Sequence, residues 1–211
     1  GIEKNMLNFL ENHDEQRIAS EFFAGNPFKA IPAMVISACM NTNPVMIYFG
    51  QELGEKGMDE EGFSGRDGRT TIFDYWTVDT IRRWRSGGKF DGKMLTKEEK
   101  KLQNFYSTLL NLCNKEKAIR EGVFFDLTYA NLEGIVFNEH KQYAFFRKAG
   151  KELIFIIVNF DEKPAAPCVK IPTHAFDYLG IPFKDNYKAK DLLTGNTETL
   201  VMAPDQCTQI L

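Results

Sequence analysis

The chain has 211 residues, with 26 basic against 29 acidic side chains, a formal charge of -3 and 43% hydrophobic content. That length and apolar share can bury two modest cores, and the mildly acidic balance argues against nucleic acid as a partner. No apolar run is long enough to cross a bilayer as a helix, so the composition reads as that of a soluble protein with no membrane partner.

The first element is a short apolar run, residues 6–10, which ends abruptly in Glu11-Asn12-His13-Asp14. A buried parallel strand reads as such a run, and polar residues crowded at its carboxyl end are where barrel enzymes place their working groups. The same tetrapeptide also fits a plain turn in which Asp14 caps a helix starting at Glu15-Gln16-Arg17, since Asp is a preferred cap. After the turn Gly25-Asn26-Pro27, residues 28–40 are apolar all round, as a helix packed on several sides would be. Asn43-Pro44 then breaks the chain, and Val45-Met46-Ile47-Tyr48-Phe49 reads as a second buried strand ahead of Gly50-Gln51-Glu52. Strand, crossover helix and second strand make one parallel unit.

These two strand ends resemble conserved regions of the α-amylase superfamily of glycoside hydrolases (family thirteen). Phe9-Leu10-Glu11-Asn12-His13-Asp14 is similar to its fourth conserved region, and Pro44-Val45-Met46-Ile47-Tyr48-Phe49-Gly50-Gln51-Glu52 looks like its last barrel strand. The resemblance implies that residues 1–121 are the C-terminal part of a (β/α)8 catalytic barrel, strands seven and eight with their helices. It further implies that Asp14 stabilises the transition state, that His13 and Asn12 contact the sugar, and that the partner is an oligosaccharide or polysaccharide of the α-glucan class. The nucleophile and the acid/base of this family lie on earlier strands, so the chain is expected to be an inactive fragment of a larger enzyme. No cofactor or metal is assigned to it, and the compartment stays unknown because a targeting region would lie upstream. Alternatives are a non-catalytic carbohydrate-binding or interaction module, or a subunit of a degenerate family member.

Residues 53–95 form a long loop rich in glycine and charge, which would overhang the barrel mouth. Tyr75 and Trp76 in it could stack on a sugar ring, or simply pack the loop down. A short amphipathic stretch, residues 78–84, follows, and Arg82, Arg83 and Arg85 are read as a solvated basic face. From Thr96 a helix is expected, with Leu102, Phe105, Tyr106, Leu109, Leu110 and Leu112 on its apolar side and a Thr96/Glu99 capping box at its start.

Beyond Val123 the pattern changes to short alternating strands at residues 135–137, 142–147, 153–160, 187–193, 197–202 and 206–211, separated by turn signals. This predicts an antiparallel β-sandwich domain over 122–211, giving an α/β part followed by an all-β part. No aromatic pair there stands out as a sugar platform, and His140 and His174 are read as incidental. Cys39 and Cys113 fall on apolar helix faces as buried thiols, while Cys168 and Cys207 can pair only if their strands meet. Two barrel strands without their neighbours expose edges and an apolar helix face, so self-association through residues 6–10, 45–49 or 31–39, or else a rearrangement of that region, is expected.

Overall fold

The computed structural model describes residues 2–57, 68–70, 78–132 and 136–210, and it divides into two compact units, Gly1–Ala38 with Asn43–Leu110, and Cys39–Thr42 with Asn111–Leu211.

In the first unit the two expected strands meet side by side and parallel. Asn8 N–H donates to Pro44 O at 2.9 Å, and Met46 N–H donates to Asn8 O at 2.8 Å, forming one parallel bridge between Asn8 and Val45. The pairing is shorter than residues 6–10 and 45–49 promised. A strand inside a closed sheet is held by ladders on both edges, whereas here the described residues supply one neighbour each. The crossover begins with Asn26, whose side chain accepts from Phe28 N–H at 2.9 Å and caps a short 3-10 turn. That turn leads into helix α1, Ile31–Cys39, which buries Met34, Val35, Ala38 and Cys39.

The amphipathic stretch after the loop is helix α2, Asp79–Arg85, and the long helix is α3, Lys97–Lys115. The capping box at the start of α3 forms as the sequence predicts: Thr96 N–H donates to Glu99 Oε2 at 2.7 Å, and Glu99 N–H donates to Thr96 Oγ1 at 3.2 Å. One basic residue departs from the solvated-face reading. Arg83 donates through Nε and Nη2 to the Glu99 carboxylate at 2.5–3.1 Å, so the residue that caps α3 also anchors α2.

The second unit opens with helix α4, Lys117–Glu121, and then builds three small antiparallel sheets. Strands β1 (Val123–Asp126), β2 (Gln142–Ala149) and β3 (Glu152–Asn159) form a meander in which Phe125, Phe146 and Phe155 lie in register. Strands β4 (Cys168–Lys170) and β7 (Cys207–Gln209) pair, as do β5 (Lys184–Lys190) and β6 (Thr197–Met202). One apolar core collects Phe146 from the meander, Val169 from β4, and Leu200 and Met202 from β6. It also takes Phe176 and Leu179 from helix α5, Thr173–Leu179, which has no counterpart among the expected strands. The antiparallel character agrees with expectation, but the two continuous facing sheets of a sandwich are not seen among the described residues; short sheets and a helix share the core instead. Ile135 lies outside the described residues, and Val136 and Phe137 are not in a strand; Phe137 is buried in the core.

Strands β4 and β7 bring Cys168 and Cys207 together as a disulfide with Cα atoms 5.4 Å apart. Cys39 is a buried thiol as expected, whereas Cys113 is only half-buried; their sulfurs are 3.9 Å apart. Arg147 on β2 is buried and donates to three backbone carbonyls near helix ends, Ala118 O at 3.2 Å, Met40 O at 2.9 Å and Ile119 O at 2.7 Å. Among the described residues no helix is long and apolar enough to cross a membrane.

Candidate active site

The Asn12-His13-Asp14 tip is a turn, and Asn12 rather than Asp14 makes it. The Asn12 side-chain oxygen accepts from Asp14 N–H at 2.8 Å and Glu15 N–H at 2.9 Å, and no helix follows at residues 15–17. This local bond competes with helix formation and holds the backbone in a bend. The bend presents His13 and Asp14 to solvent, with their side chains 41% and 67% exposed and His13 Nε2 lying 3.5 Å from Asp14 Oδ2. Two of the three expected site residues are thus free to meet a ligand, and the third, Asn12, spends its side-chain oxygen on shaping them.

Beneath the turn lies a feature that sequence reasoning missed. Glu11 and Arg17 are both buried, with Arg17 Nε 3.1 Å from Glu11 Oε2, an ion pair without hydrogen-bond alignment. Glu11 Oε1 accepts from Ile18 N–H at 2.6 Å, so the carboxylate spans the turn from one side to the other. Arg17 donates from Nη2 to Phe49 O at 2.8 Å and from its backbone N–H to Gly68 O at 2.9 Å, and its guanidinium stacks on the Tyr48 ring at 4.7 Å. The pair therefore ties the end of the first strand to the end of the second. Burial pushes the Glu11 carboxyl above its ordinary range, and the Arg17 charge and the Ile18 N–H oppose that rise. The available signal was a glutamate and an arginine flanking a polar turn directly after an apolar run.

The second strand end is equally committed to structure. Gln51 accepts from Tyr48 N–H at 3.2 Å and donates to the Tyr106 hydroxyl at 3.0 Å, and burial pushes that hydroxyl up to about 12. Glu55 is buried and accepts from Gly57 N–H at 3.1 Å and from the Thr80 hydroxyl. Tyr75 and Trp76 lie outside the described residues, as do Asp59, Glu60, Glu61, Asp67 and Asp74 of the same loop. Among the described residues no group of three or more His, Cys, Asp or Glu is placed to hold a metal ion.

The family model for the catalytic domain of alpha amylase matches residues 1–122. The chain belongs to the α-amylase family. Solved structures agree at the level of fold: an α-amylase from Anoxybacillus superposes with a TM-score of 0.60 at 18% identity, covering 100% of this chain and 36% of that one. A noncanonic maltogenic α-amylase from Thermotoga neapolitana gives 0.58 at 12% identity, covering 97% of this chain and 38% of its own. AmyP, solved in complex with maltose, gives 0.57 at 18% identity with 96% and 38% coverage. The chain thus spans well under half the length of these α-amylase structures. No curated protein sequence matches it.

Proposed function

We propose that the chain is the C-terminal part of an α-amylase-like retaining glycoside hydrolase acting on α-glucans such as starch or maltooligosaccharides. Residues 1–121 would complete the catalytic barrel and residues 122–211 would form the domain that follows, a division supported by a family match that ends at residue 122. The observation that carries the reading is the turn at Asn12-His13-Asp14, which exposes an imidazole and a carboxylate at the end of a strand bridged in parallel to its neighbour.

Chemically, an exposed carboxylate at that place accepts hydrogen bonds from sugar hydroxyls and opposes the positive charge that develops at the anomeric carbon. His13 would donate to, or accept from, a further hydroxyl, and Asn12 would set the backbone that orients both. Bond cleavage requires a nucleophile and an acid/base about 5 Å apart on adjacent strands, and neither role is assigned within these residues. Glu11, Glu55 and Glu99 are buried and engaged by Arg17, Thr80 and Arg83, so none of them substitutes.

The test is release of reducing ends from a maltooligosaccharide. The 211-residue chain should give none, whereas the full-length enzyme should lose turnover by a factor of about 100 or more on Asp14→Asn, corresponding to about 3 kcal/mol of transition-state stabilisation. Near-normal turnover of that full-length variant would overturn the assignment of Asp14. Turnover by the short chain would mean that a complete site lies within it.

A further inference from the structure

Two cysteines outside the disulfide face each other at the ends of two helices. Cys39 is the last residue of α1, and Cys113 lies in the last turn of α3. Their sulfurs are 3.9 Å apart although 74 positions separate them along the chain, and both residues belong to the second unit. Access distinguishes them: Cys39 is 3% exposed, whereas Cys113 is half-buried and can be reached from solvent. Their acidities diverge as well. The sulfur-to-sulfur hydrogen bond holds the Cys113 thiol below its ordinary range against the effect of burial, and the same bond, with burial adding to it, pushes the Cys39 thiol up. Cys39 therefore donates and Cys113 accepts. Arg147, whose Nη1 donates to Met40 O at 2.9 Å directly after Cys39, brings a buried positive charge to the pair and opposes the rise at Cys39. Thiolate character, solvent access and a second thiol in contact are together what makes a cysteine open to oxidation.

We propose that Cys39 and Cys113 are a modification site, a reversible disulfide that a low-molecular-weight disulfide such as oxidised glutathione closes and a thiol reopens. In the first step Cys113, having lost its proton to water, attacks one sulfur of the small disulfide. A mixed disulfide forms, and the other half of the reagent leaves as a thiolate that takes up a proton. In the second step Cys39 gives up its proton and attacks Cys113 Sγ, and the remaining half of the reagent leaves as a thiol. Two protein thiols are thus oxidised while one small disulfide is reduced to two thiols, and no further reactant is needed. Bonded sulfurs lie about 2 Å apart, so these two must approach by about 2 Å, a shift within reach of rotation about their Cα–Cβ bonds. The new bond would join the end of α1 to the end of α3 and close the chain between them, which carries the second bridged segment and α2. A loop so closed has fewer conformations to gain on unfolding. Neither cysteine belongs to the Asn12-His13-Asp14 turn, and Cys168 and Cys207 on β4 and β7 take no part.

The experiment equilibrates the 211-residue chain, with its Cys168–Cys207 link intact, with glutathione at a series of oxidised-to-reduced ratios. Remaining thiols are then blocked with N-ethylmaleimide, and intact mass, peptide map and melting temperature are read. The Cys39 and Cys113 thiols should disappear together, their two peptides should be found joined, and the melting temperature should rise by about 10 °C. Cys39→Ser should stop with one glutathione held on Cys113, because no second thiol follows. Cys113→Ser should take up glutathione about tenfold more slowly, since the thiol that remains is the buried one. Both thiols persisting at every ratio, glutathione retained on Cys113 in the parent chain, uptake by Cys113→Ser at the parent rate, or links from either cysteine to Cys168 or Cys207 would each overturn the proposal. The peptide map of the parent chain decides even if a variant folds poorly.

Discussion

Glu11 and Arg17 are opposite charges with almost no contact with water, and their energetics differ from those of a surface pair. Desolvation offsets much of their attraction, so the pair adds less to stability than its geometry suggests, yet removing one member leaves a buried charge uncompensated. Arg17→Met should therefore destabilise the chain by about 3–5 kcal/mol in denaturant unfolding, and adding Glu11→Gln should recover part of that loss. Glu99 provides a second test at this scale. Burial alone would raise its carboxyl, but the bonds from Arg83 and Thr96 outweigh burial and hold it below the ordinary value of 4.5. A carboxylate whose folded pKa lies below its unfolded value stabilises the fold fully above the unfolded value, and that stability is lost as the pH falls through the folded value. Melting temperature measured from about pH 6 down to about pH 3 should fall on the acid side, and Glu99→Gln should flatten that fall.

Helix and strand ends decide what the elements can do. Helix α3 starts where Thr96 and Glu99 satisfy each other's backbone N–H groups, so Thr96→Ala should cost about 1 kcal/mol, read as a lower denaturation midpoint with an unchanged slope. In the second unit Arg147 plays the complementary part, with one side chain donating to carbonyls from residues 40, 118 and 119. Burial lowers its pKa from the usual arginine value, and the guanidinium nonetheless remains the group able to reach all three acceptors in one fork. Strands β4 and β7, of three residues each, gain their persistence from the Cys168–Cys207 link, which spans 39 positions. Closing a loop of that length contributes about 4 kcal/mol in the chain-entropy account, so reduction should lower the unfolding midpoint of the chain markedly while leaving the Cys39 and Cys113 thiols unchanged in number.

For the whole molecule, the telling surface is apolar. Met6, Leu7, Phe9 and Phe49, on the two bridged segments of the first unit, are each more than two-fifths exposed. A pair of short strands with open edges and apolar side chains is a template for pairing with another copy. Light scattering of the 211-residue chain should show association that rises with concentration, and charged substitutions at Leu7 and Phe9 should reduce it; a monodisperse monomer throughout would count against this reading of the edge.

Much of this organisation was legible before any coordinates. Residues 6–14 and 44–52 carried the parallel pair, because an apolar run closed by a polar tip is a local pattern with a physical cause, and the family was legible there as a resemblance. Thr96 and Glu99 carried the start of α3 for the same reason, since a capping box needs only residues three apart. The exchange between Glu11 and Arg17, the anchoring of α2 by Arg83 and the meeting of Cys39 with Cys113 were not legible, because each depends on which faces of separate elements meet. The disulfide makes the same point: sequence allowed Cys168 to meet Cys207, and the register of β4 against β7 decided that they do. Local sequence determined where elements begin, end and turn, since those choices rest on bonds between near neighbours. Burial and register determined which charges pair, which rings stay exposed and which thiols join, since those are properties of surfaces that exist only after the chain has folded.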